Sequence, residues 1–94
     1  MKPAKREQDT AWEMRTAWGS HKEVRLTLTG RCMIRTIVGH VSAVSVTGAF
    51  VTVDGWHVPT AEILGTGRPT VADRDAYTAE MARLRSEQLF EEAA

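Results

Sequence analysis

Few side chains in this sequence have the type and spacing to do chemistry. His21, His40 and His57 are its three histidines, and Cys32 is its one cysteine. No two of the histidines stand at the short spacing that puts two imidazoles on one metal, and one cysteine offers no thiolate pair for zinc. Cys32 could act as a nucleophile with a distant histidine, but its place in a β-rich run favours a small buried apolar side chain. There is no nucleophile elbow, phosphate-binding loop or dinucleotide fingerprint, and Gly65-Thr66-Gly67-Arg68 is too short to cradle a phosphate. The sequence thus predicts no catalytic residue, metal site, cofactor or small-molecule substrate. An enzyme would need His40, Asp54 and His57 gathered by the fold.

Binding chemistry has better candidates. Phe50 alternates with Val51 and Val53, so if the valines face a core, Phe50 faces out. An exposed aromatic on a sheet suits a protein contact or a stacked base. Arg25, Arg31 and Arg35 could line one edge of a hairpin and, with His40 and Phe50, form a surface for single-stranded nucleic acid. The competing reading leaves these arginines solvated, where they guard a sheet edge against pairing. Trp56 and His57 follow a turn signal, and Tyr77, Met81 and Leu84 form a narrow helical stripe. These five are candidate protein contacts with Phe50, although Trp56 shares parity with Val58 and suits helix packing as well.

The chain around these residues has 94 residues, enough for one domain (1–94) with one core. Lys and Arg balance Asp and Glu at twelve each, which argues against strong phosphate binding. The balance hides an asymmetry: residues 1–40 carry eight basic and four acidic side chains, and residues 41–94 carry four and eight. Two solvated ends explain this, as would head-to-tail pairing of copies. No apolar run reaches the roughly 20 residues of a membrane span, and no apolar block follows the basic start. The expectation is a soluble cytoplasmic protein with no membrane partner.

Residues 1–8 read as a flexible tail and 10–18 as a helix, with Thr10 and Glu13 as a capping box and Gly19 as a left-handed stop. Ala11, Met14 and Trp18 share one face. Val24, Leu26 and Leu28 alternate with polar residues in a strand. A long β-run from Cys32 to Val46 follows, with Ile34, Thr36 and Val38 on one face and Gly39 as a bend or bulge. Val44 and Val46 take the apolar positions beyond it. Thr47-Gly48 and Asp54-Gly55 read as hairpin turns. Pro59 ends the next strand, residues 60–64 form one helical or 3₁₀ turn, and 65–69 serve as a linker. A second helix spans 70–90, with Thr70 and Asp73 as its cap. The fold class is mainly β with flanking helices, a small barrel of four or five bent antiparallel strands over 23–64.

Ile37 to Val44, with Gly48 to Gly55, resembles the Sm-like and YolD-like small barrels, with Ile63 in the place of their closing isoleucine. The resemblance covers about 23–64 and implies an Sm-like or SH3-type barrel. For Sm-like proteins it also implies RNA binding or ring assembly, although their characteristic aspartate and asparagine are absent. Gly39 to Val53 also resembles the oligonucleotide-binding repeats of ribosomal-protein type, where Phe50 would stack on a base. Those repeats need two more strands, where this sequence reads as helical. The reading that gathers these features is a non-catalytic interaction or adaptor module, of the accessory or regulatory kind found in bacteria and phages. It would self-associate or bind a protein partner. The alternative is RNA or single-stranded DNA binding through Arg25, Arg35 and Phe50.

Overall fold

In the strands, alternation decides which residues go inside. The structure, a computed structural model, describes residues 5–93, with side chains through 87. Strand β1 (Glu23–Leu28) buries Val24, Leu26 and Leu28 and turns Glu23, Arg25 and Thr27 outward. It pairs antiparallel with β2 (Thr36–Val44), with Leu26 opposite Ile37 and Arg25 opposite Val38. Strand β3 (Phe50–Val53) pairs with β2, and β4 (Trp56–Pro59) pairs with β3. A 3₁₀ turn at Thr60–Glu62 leads into β5 (Ile63–Gly67), which returns to the free edge of β1. The order across the sheet is β4-β3-β2-β1-β5, with β4 and β5 as unpaired edges. The sheet is antiparallel throughout and is not closed into a barrel.

Helix α1 (Lys5–Gly19) lies across the inner face and buries Ala11 and Met14. They join Val24, Leu26, Leu28, Ile37, Val41, Val51, Val53, Val58 and Ile63 in the core. Each such aliphatic side chain, fully buried, contributes about 1.5–3 kcal/mol relative to exposure. α1 also spans the opening between the sheet's two ends. On one side Arg6 donates to the Ile63 carbonyl (3.0 Å), and the Thr66 hydroxyl donates to Glu13. On the other, Arg15 donates to the carbonyls of Ser45 (2.8 Å) and Val46 (3.1 Å). Helix α2 (Val71–Ala93) packs on the outer face, chiefly against β2.

The expected boundaries shift in several places. Lys5–Gln8 are helical rather than a tail, while residues 1–4 of that tail lie outside the described residues. Thr10 is therefore inside the helix, donating to the Arg6 carbonyl, and caps nothing. The left-handed residue after α1 is His21 (φ 54°), not Gly19. Cys32 sits in the β1–β2 loop and packs against the core. β2 buries both Ile37 and Val38, because α1 covers one face and α2 the other. The bulge lies between Val41 and Ala43, not at Gly39. Beyond it Val44 turns toward the core, while Val46, in the turn after β2, is 98% exposed instead of apolar lining. Residues 63–67, mostly assigned to a linker, form the fifth strand. The Asp54-Gly55 turn has positive φ at both residues (49° and 83°), as a type I′ hairpin requires.

Candidate functional site

Two surfaces bring together side chains with something to bind, one at the β2–β3 turn and one under α2. At the turn, the hairpin is tied by the Ser45 and Phe50 main chains, and the Phe50 N–H donates to Ser45 Oγ (3.0 Å). Val51 and Val53 are buried, so Phe50 faces outward at 53% exposure, opposite Pro59. Val46 stands at the tip of the same turn. Ala11 closes on this turn from α1: a Cβ added to Gly48 would lie 3.1 Å from the Ala11 Cβ. Arg15 of α1 also donates to the Ser45 and Val46 carbonyls here. Val46 and Phe50 thus stand out from a turn that α1 packs against, and Trp12, the residue after Ala11, is 70% exposed. Thr52 and His57, further along the outer face of β3 and β4, are joined by a 3.0 Å hydrogen bond.

Under α2 the chemistry is polar around a small apolar contact. Trp56 Nε1–H donates to the Tyr77 hydroxyl (3.0 Å), which donates to Asp54 (2.5 Å). Burial, reinforced by the hydrogen bond to Asp54, pushes the Tyr77 hydroxyl up to about 12. Asp54 can come this close because position 39 has no side chain: a Cβ there would lie 2.8 Å from the Asp54 Cβ. Asp73 and Thr70 form the expected reciprocal cap, at 2.9 and 3.1 Å. The Thr70 backbone N–H is the main cause holding the Asp73 carboxyl below its ordinary value. Asp73 also meets Arg25 (3.5 Å), and Arg74 meets Glu23 (2.6 Å). A cleft of about 320 Å³ opens between α2 and residues 33–36, lined by Met33, Ile34, Arg35, Asp73, Tyr77 and Glu80.

The sequence-predicted residues divide between these surfaces. Phe50 and His57 are exposed on one outer face. Trp56 is half-buried in the Tyr77 network, and Tyr77 is itself buried, so both are engaged within the chain. Met81 and Leu84 are half-buried further along α2. The proposed nucleic-acid set is not brought together. Arg25 is occupied by Asp73, Arg31 lies in the β1–β2 loop 4.0 Å from Glu62, and Arg35 flanks the cleft beneath α2. His40 is exposed opposite Glu23. Phe50 lies two strands from Arg25 and, at about 3.3 Å per residue, roughly 20 Å along β2. Among the described residues no three His, Cys, Asp or Glu side chains cluster as a metal site, and no helix is long and apolar enough to cross a membrane.

Sequence reasoning missed Trp12 and Val46 as surface residues and Asp54 as the partner of Tyr77. Val46 was concealed because it continues the alternation of Val44 yet lies in the turn beyond the end of β2. No family model, curated protein or solved structure matches this chain.

Proposed function

We propose that this chain is a non-catalytic interaction module on a partly open small barrel of Sm-like or SH3-like type, and that it self-associates or binds a protein partner through the rim of Trp12, Val46 and Phe50. The observation that carries the reading is the outward stance of two apolar side chains, Val46 and Phe50, on one turn packed against α1, whose Trp12 is itself largely exposed. Aromatic anchors of this kind dominate protein interfaces. Exposed apolar groups that touch one another's surroundings are a costlier surface than the same groups scattered. The strand order, with α1 laid across the open side, supports the barrel type.

Phe50→Ser combined with Val46→Ser tests the reading by light scattering across a concentration series, together with tryptophan emission in a Trp18→Phe, Trp56→Phe background so that Trp12 alone reports. The expected result is self-association in the parent protein, with blue-shifted tryptophan emission, and its loss in the double variant. Identical concentration-independent monomers for both, in a protein that binds short oligonucleotides at low salt, would replace this reading with nucleic-acid binding.

A further inference from the structure

From the way α2 is attached, we infer that the outer face of β1 and β2 is an acceptor site for this helix, and that a second copy of the chain can supply it. The inference uses residues distinct from the Phe50 rim and does not depend on that proposal. The acceptor has an apolar floor, Val38 and Ile34, each 5% exposed, and both border the clefts where Tyr77 lies. Its edges are polar and mutually complementary: Arg25 receives Asp73, Glu23 receives Arg74, and Asp54 with Trp56 receives Tyr77. Every one of these attachments lies between residues 73 and 77, within the first turns of a 23-residue helix. None is covalent or deeply interlocked.

The connection makes exchange feasible. β5 ends at Gly67 and α2 begins at Val71, leaving three residues, which reach at most about 10 Å. Gly67, the last residue of β5, adjoins this short tether and lets it redirect. A helix passed to a neighbouring copy remakes the same contacts there, so closed monomer and exchanged dimer differ chiefly in tether strain and entropy. A short flexible tether presents its own helix at an effective concentration on the order of millimolar. Exchange in the parent chain therefore belongs to high protein concentration, and tether length should tune it.

The test measures dimer fraction by native mass spectrometry for three tethers: parental, lacking Arg68 and Pro69, and lengthened by about six Gly/Ser residues. The shortened tether should strengthen dimerisation by about tenfold or more, and the lengthened one should weaken it. Equal dimer fractions across all three would overturn the inference. If dimers of that kind vanished with Phe50→Ser and Val46→Ser, the rim would be the self-association surface. A second measurement uses two charge reversals in the shortened background, Glu23→Arg in one chain and Arg74→Glu in the other. Each alone sets like charges together, but exchange between them restores both opposite-charge pairs. Their mixture should give heterodimers well above the statistical share of about half; the statistical share itself would overturn the inference.

Discussion

The two helices differ in how they are held. α1 buries Ala11 and Met14 in the shared interior and ties both ends of the sheet through arginine-to-carbonyl bonds. α2 lies outside on a narrow apolar floor, fixed by Tyr77, the packing of Met81 and two ion pairs. Packing that excludes water stabilises far more than exposed charge pairs do. The comparison teaches that α1 belongs to the folding unit, while α2 is an attached element whose docking can be altered without dismantling the sheet.

The strongest challenge to that contrast is Met14→Ala. Removing a side chain that is 2% exposed should cost about 2–5 kcal/mol, seen as a large drop in the urea midpoint. A loss comparable to that of a surface substitution would put α1 on the same footing as α2. Next in size is Tyr77→Phe, which removes both hydroxyl hydrogen bonds and should cost about 1–2 kcal/mol. The same hydroxyl gives a pH signature. Its folded value is raised to about 12 from 10.0, so the folded state holds this proton more tightly. The resulting stability is fully present below pH 10 and is lost between pH 10 and 12. Urea midpoints should fall across that window in the parent protein and lose this component of the fall in Tyr77→Phe. The smallest effect belongs to Arg74→Gln. With Arg74 half-exposed, its pair with Glu23 should contribute less than about 1 kcal/mol, and the difference from the parent should fade in high salt.

Much of this contrast was visible in the sequence. The β1 alternation, the Asp54-Gly55 turn, the Thr70–Asp73 cap and the outward parity of Phe50 all rest on local chemistry, and each is seen in the structure. What was not legible depends on distant partners. β5 contains two glycines and little alternation, and it is a strand because β1 offers it a free edge. The alternation put Ile34 and Val38 on one apolar face, but they are buried under α2 while Ile37 and Val41 face the shared interior. Glu13 could not be read as a partner of Thr66, 53 residues away, so a local cap was the nearest explanation. The rim was half legible: Phe50 follows from parity, whereas Val46 shares the parity of inward Val44 and is exposed only because β2 ends before it.

The reach of Arg6 to Ile63, across 57 positions, has a consequence for the newborn chain. A ribosome delivers α1 before the sheet, yet a 15-residue helix is only marginally stable by itself in water. Its anchoring carbonyl emerges with the start of the final strand. α1 thus leaves the exit tunnel well before the strand that anchors it, and arrested chains ending before residue 63 should leave it unprotected from proteolysis.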